Sequence, residues 1–333
     1  MVPVDGAYRL IFITEHMKDL YASWTTNKSA SLRCDGQPAR FHADQHLNYH
    51  GEGGTLVITC PLAVQLVTGK RAGGGDVDYN TSVWRNCSDH NEIQGIPAAS
   101  VERMACTMFL GDHFELAQWI EYHRLIGFRH FLIYLHGAPD VKNATTLPDG
   151  TYITYIPWNF ADLGSPVMHK AVQQMDCSQR ARARIVTRVA LHDVDEYFQM
   201  LDGSTLEDVL ASHESDGETG GLQIPSWFFG ENLSAKAPIR SNESLKLMID
   251  SVWKSKTPYL EGREKMIFKP RQVVYFACHM IVVGGYMKGE PMIQMNHYWM
   301  REAGVFLAGN NVVKDNSFQM QYGPLLRKRL KYA

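Results

Sequence analysis

No stretch of this sequence holds the roughly 18 to 20 continuous apolar residues that a helix needs to cross a bilayer. The nearest, Thr55 to Thr68, is shorter and reads as β-structure. The first residues lack the basic start, apolar middle and small-residue cleavage site of a signal peptide. An excess of charge is missing too: 33 Lys and Arg face 35 Asp and Glu, a formal net charge of -2. That balance sets up no long-range field for nucleic acid or for an anionic membrane, and neither is expected as a partner. The basic cluster Arg327, Lys328, Arg329 and Lys331 reads as a solvated helix end. Cysteine is sparse, six in 333 residues, at Cys34, Cys60, Cys87, Cys106, Cys177 and Cys278, but the even number permits complete pairing.

Against these absences stand six Asn-x-Ser/Thr sequons, at Asn27, Asn80, Asn86, Asn143, Asn232 and Asn242, where chance gives about one or two. Sequons matter only in a secretory lumen, where disulfides also persist. A luminal protein is therefore expected, in the Golgi if the resemblance described below holds, with a membrane anchor not seen in this chain. A cytoplasmic protein with accidental counts is the alternative. The apolar fraction of 45% and charged fraction of 20% are those of an ordinary globular chain, long enough for one large domain or two smaller ones.

Two rhythms divide the sequence. Residues 1–97 are β-rich: YRLIFITE, ARFHAD, GTLVITC and VQLVTG are short β-branched and aromatic runs between Gly, Pro, Asp and Asn. This part is expected to be an accessory or stem region, with carbohydrate binding as its functional reading and plain packing as the other. Gly69 to Asn91 reads as an exposed loop. Residues 98–333 alternate strands with helices, the pattern of an α/β sheet. ACTMFLGD opens it as a strand, and Leu116, Trp119, Ile120 and His123 recur at helical spacing. Gly127 stops that helix, FRHFLIYL and TYITYIPW follow as strands, and Met168 to about Arg184 is a polar helix.

The stretch that carries chemistry is Val186 to Phe198, VTRVALHDVDEYF, an apolar strand emptying into Asp193-Val194-Asp195-Glu196. Alternate side chains of a strand share a face, so Asp193 and Asp195 are expected to aim at one point beyond the strand end. Ligands of open α/β sheets bind there, and hard oxygen donors suit Mn²⁺ or Mg²⁺. The same triplet at Asp76-Val77-Asp78 follows glycines and is expected to be a solvated turn.

The order of these pieces resembles glycosyltransferase family 92, enzymes of the GT-A superfamily. The resemblance rests on Glu102 and Cys106, on Glu115 with Trp119 to His123, on Gly127 and HFLIY, and on Gln174 with Cys177. It continues through Asp193 to Phe198, Trp227-Phe228-Phe229-Gly230, Lys265, Lys269-Pro270, His279 and Asn296-His297-Tyr298. The chain departs from the family pattern at Leu135-His136-Gly137 and at Glu231-Asn232-Leu233-Ser234. The resemblance implies a GT-A, Rossmann-like catalytic domain and inverting transfer of a sugar, galactose favoured, from a UDP-sugar to a glycan. A homodimer is compatible with it.

Such chemistry needs a stabilised diphosphate leaving group and a base for the acceptor hydroxyl. Asp195 is expected to ligate the metal, Asp193 to ligate it or to contact ribose, and Glu196 to support them from behind. The resemblance adds His279 and His297 as metal or diphosphate ligands, and Glu115 and Gln174 as donor-site residues. Trp227 and Phe229 are expected at the acceptor, because the C–H face of a sugar stacks on aromatic rings. Asp250 is the expected base by its place in the family pattern, with Glu231 its rival. A glycoside hydrolase or a non-catalytic glycan-binding protein are the competing functions.

Overall fold

The computed structural model describes residues 102–109, 113–136, 144–158, 166–183, 186–213, 220–230, 247–259, 263–273, 275–277, 279–283, 287–288, 292–298 and 312–330, together with the backbone of eight strands between residues 2 and 80. Glu231 lies outside the described residues.

The N-terminal strands form two antiparallel sheets. One has the order β1 (Val2–Val4), β2 (Ala7–Thr14), β6 (Gly54–Cys60) and β5 (Arg40–Asp44); the other has β4 (Gln37–Pro38), β3 (Leu32–Cys34), β7 (Leu66–Lys70) and β8 (Asp76–Asn80). The Asp76-Val77-Asp78 triplet, expected in a turn, lies on β8 and pairs with Thr68 to Lys70 of β7. Cross-strand pairing has overridden the weak strand propensity of Asp, as sheet context commonly does.

The main sheet begins with β9 (Arg103–Phe109), followed by α1 (His113–Leu125), β10 (His130–His136) and, past the short edge strand β11 (Ala144–Thr146), β12 (Tyr152–Trp158). Helix α2 (Pro166–Ala183) then leads to β13 (Arg188–Leu191). Strands β12, β10, β9 and β13 lie side by side and parallel. In chain order they are the third, second, first and fourth, so the direction of winding reverses between β9 and β13. Beyond β13 the sheet turns antiparallel through β18 (Lys265–Phe268) and β15 (Gly221–Ile224), and β21 (Met287–Lys288) closes it.

Alternation along these strands builds a core on each face. Ala105, Phe131, Ile133, Leu135, Ala190 and Ile267 pack with Trp119 and Ile120 of α1. Their neighbours Met104, Cys106, Leu132, Tyr134, Val189, Leu191 and Met266 pack with Met175, Cys177 and Ala181 of α2. Helix α1 ends where the sequence places its stop: Gly127 has φ 103°, Phe128 N–H donates to His123 O at 2.9 Å and Gly127 N–H to Arg124 O at 3.2 Å. This left-handed exit is open to glycine at no steric cost.

A second sheet has the order β14 (Glu196–Met200), β22 (Ile293–Tyr298), β16 (Ser226–Gly230), β17 (Trp253–Ser255) and β23 (Val312–Lys314). Helix α4 (Ser317–Leu330) packs Phe318, Tyr322 and Leu326 into the core, and α3 (Leu206–Ser212) is capped by Thr205. A two-stranded ribbon, β19 (Tyr275–Ala277) with β20 (Met280–Val283), brings His279 to the tip between its strands.

Candidate active site

The chain leaves the main sheet at Leu191 and enters the second sheet at Glu196, so His192 to Asp195 cross from one to the other. They do so at the carboxyl end of β13, beside the reversal of strand order. That crevice is where open α/β sheets take their ligands.

The crossing is a turn, not an extended strand. Glu196 N–H donates to Asp193 O at 3.1 Å, and the Glu196 carboxylate accepts from Asp193 N–H at 2.7 Å. Two-residue alternation fails in a turn, so Asp193 and Asp195 do not aim at one point, which corrects the sequence expectation. Asp193 Oδ2 accepts from Lys170 of α2 and from Lys265 of β18, the latter at 3.2 Å. Asp195 Oδ2 lies 3.4 Å from His297 Nε2, and His297 Nδ1 lies 3.5 Å from Glu196 Oε1. Asp195, Glu196 and His297 each offer a ligand atom within 4.8 Å of the others, a group to which Asp193 does not belong.

Strand register explains the convergence. β14 pairs antiparallel with β22 and sets Glu196 opposite His297, on one face of the second sheet. β18 runs antiparallel to β13, with Met266 opposite Leu191, so its first residue, Lys265, lies beside the start of the acidic turn. Lys265 is 1% exposed and also lies 2.9 Å from Glu196 Oε2. An ammonium so buried persists because two carboxylates compensate it.

Electrostatics divides the cluster into two halves. Burial opposes ionisation of Asp193, but Lys170 and Lys265 outweigh it and hold the carboxyl well below its usual range. Burial likewise works to lower His297, yet the carboxylates of Asp195 and Glu196 prevail and its pKa is raised. His279 stands with the lysines. Its Nδ1–H donates to Glu264 O at 3.1 Å, and burial beside Lys265 and Lys170 pushes it down to about 2. His279 is thus a neutral imidazole on the cationic side, outside the Asp195–Glu196–His297 group, where the sequence placed it with the metal ligands.

Behind the turn lies a buried histidine pair. His123 Nδ1–H donates to Trp119 O at 2.7 Å, leaving its Nε2 to accept from His192 Nε2 at 2.8 Å. Burial pushes His123 down to about 3 and His192 well below its ordinary value, so both are neutral. Packed with Trp119 and Phe198, they anchor the residue that precedes Asp193.

The residues fit a divalent cation. Glu196 Oε1 is buried with no hydrogen-bond partner among the described residues, and an acceptor in that position costs free energy unless a cation or donor meets it. Two carboxylates and an imidazole form a mixed oxygen and nitrogen donor set of the kind Mn²⁺ accepts.

Other expectations meet the geometry as follows. Trp227 pairs with Asn296 and Phe228 with His297 across β16 and β22, so Phe228 shares the His297 face, with ring centroids 5.1 Å apart. Trp227 and Phe229 point to the opposite face, with Lys254 Nζ 5.1 Å and 5.9 Å from their ring centroids. The two residues expected at the acceptor thus lie on the face away from His297. The aromatic groups on the site's side are Phe228 and, 5.4 Å from it, the exposed ring of Tyr259. Asp250, the expected base, ends a 3₁₀ turn and accepts from Leu247 N–H, Gln319 and Arg327. That is the bonding of a fastener for α4. Glu115 is half-buried in the first turn of α1, close enough to Tyr197 to help raise its phenol behind the effect of burial. Gln174 is buried on α2.

The sequence missed Lys170, for which it carries no signal, and gave Lys265 and Glu196 too small a part. Lys265 had a signal, since it stands among the residues of the family resemblance.

The profile of Glycosyltransferase family 92 matches residues 104–301, more than half of the chain. No curated protein matches it.

Proposed function

This chain belongs to glycosyltransferase family 92, and from that premise we propose that it moves a sugar, galactose favoured, from a UDP-sugar to a glycan acceptor with inversion, on a GT-A domain. The observation that carries this reading is the Asp195–Glu196–His297 group, set within the family-matched residues where this chain's main sheet reverses its strand order, at the carboxyl end of a parallel strand. These three residues would hold Mn²⁺ or Mg²⁺, which when bound supplies positive charge for the diphosphate leaving group.

The remaining work belongs to the chain's own side chains. Lys265, fixed between Asp193 and Glu196, keeps the turn closed and places one fixed positive charge beside the leaving group. The neutral pair His123 and His192 fixes the residue before Asp193 in the core. The exposed ring of Tyr259, backed by the buried Phe228 that packs against His297, provides a face on which a sugar ring can lie. Family membership implies a donor and an acceptor as partners; no described helix is long and apolar enough to cross a membrane. The Cys106–Cys177 disulfide and the sequons support a secretory lumen, the Golgi, as the place of action.

The test is UDP release from a panel of UDP-sugars with Mn²⁺, for the protein and for Asp195→Ala. Turnover of one donor, abolished by EDTA and by the substitution, is the expected result. Glycan binding with no UDP-sugar bound or hydrolysed would replace this reading with a non-catalytic lectin-like function.

A further inference from the structure

Resting on the UDP-sugar reading, we propose that Lys170 is a ligand of the donor's diphosphate, and that Asp193 serves to hold Lys170 and Lys265 rather than to bind the metal.

Asp193 Oδ2 accepts from two ammonium groups at once. The two lysines are not equivalent. Lys265 is 1% exposed and has Glu196 as a second carboxylate, so its position is fixed from two sides. Lys170 is 20% exposed and reaches the same oxygen from a different element, α2. Lys265 would balance Asp193 without help. Lys170, the more exposed of the two, is the cation that an incoming anion can reach.

The charge of the cluster points the same way. Asp193, Asp195 and Glu196 face Lys170 and Lys265. Among the described residues, once a divalent cation joins Asp195 and Glu196 the cluster has one positive charge in excess, and an anion of several oxygens completes it. Lys170 is the fifth residue of α2. Helical side chains lean toward the N-terminus, where the helix dipole is positive and phosphate groups are favoured. Farther along α2, the disulfide of Cys177 to Cys106 ties the helix to β9, the strand at the reversal of order. Lys170 is thus presented to the crevice from a fixed support.

Calorimetric titration of the full chain with UDP and with uridine, in Mn²⁺, separates this idea from the reading beneath it. UDP should bind the unsubstituted protein more tightly than uridine. Lys170→Met and Lys170→Gln should each weaken UDP by about tenfold or more, the loss of a charge-assisted hydrogen bond, with uridine and Mn²⁺ affinities as the control for folding. Lys170→Arg, which retains the charge, should recover part of the loss. Asp193→Asn should keep its Mn²⁺ affinity, whereas Asp195→Asn should lose it. If UDP binds Lys170→Met and Lys170→Gln as it binds the unsubstituted chain, or if Asp193→Asn loses Mn²⁺ as Asp195→Asn does, this inference is overturned while the UDP-sugar reading stands. If the unsubstituted protein binds neither UDP nor uridine, both fall.

Discussion

At the scale of single residues, His297 carries the sharpest consequence. Its pKa in the folded chain is raised because Asp195 and Glu196 outweigh the cost of burial. In metal-free protein the protonated ring therefore adds stability in full below about pH 6.5, the ordinary histidine value, and that contribution is lost as pH rises through the folded value. A metal needs the neutral ring, so proton and cation compete for one site. Mn²⁺ affinity should accordingly climb as pH rises above 6.5 through the folded pKa, and His297→Asn should weaken binding and flatten the climb. Titrating Mn²⁺ into both proteins across that range measures it; a pH-independent affinity in the unsubstituted chain would remove His297 from the ligand set.

Among the elements, α2 has most depending on it. It covers one face of the main sheet with Met175, Cys177 and Ala181, and it supplies Lys170. Its bond to β9 through Cys106 and Cys177 closes a loop with a sequence separation of 71, and both cysteines are buried. A crosslink over such a loop is worth about 4 kcal/mol in the chain-entropy account, by restricting the unfolded chain. The double substitution Cys106→Ala with Cys177→Ala should lower the melting temperature by roughly 10 °C or more. UDP affinity should fall along with it, because Lys170 loses its support. Melting curves with and without a reductant check the first part, and an unchanged midpoint on reduction would show that packing alone holds the helix.

For the molecule as a whole, the family match ends at residue 301, but the core does not. Phe318, Tyr322 and Leu326 of α4 are buried among Tyr122, Tyr197 and Tyr298. Arg327 reaches Asp250, Arg329 reaches Glu121, and Ser317 accepts from Gln199 of the second sheet. Burying one large side chain contributes about 1.5–3 kcal/mol, so three amount to much of the roughly 5–15 kcal/mol by which a domain is stable. A chain cut after residue 311, which lacks β23 and α4, should therefore lose cooperative unfolding and aggregate on expression. A sharp thermal transition in that truncated chain would mean that α4 is an accessory to the fold and not part of it.

What the sequence determined by itself was local and periodic. Helical spacing from Leu116 to His123, the stop at Gly127, the strand runs HFLIY and TYITYIPW, and the acidic end of the strand before Asp193 were all legible, because each depends on neighbours within a few residues. Family membership was legible for a related reason, since the order of short pieces survives without any knowledge of contacts. The tertiary structure alone decided how the acidic residues divide. Asp193 faces Lys170, 23 residues earlier, and Lys265, 72 later, while Asp195 and Glu196 face His297. Nothing local in D-V-D-E selects those partners. A tight turn between two sheets cancels the strand alternation that would have aimed both aspartates together, and the register of β14 on β22 and of β13 on β18 then brings a histidine and a lysine to the two halves. Alternation that was legible in β16 still needed its partner strand to show which face was the site's, and that is why Phe228 rather than Trp227 stands beside His297.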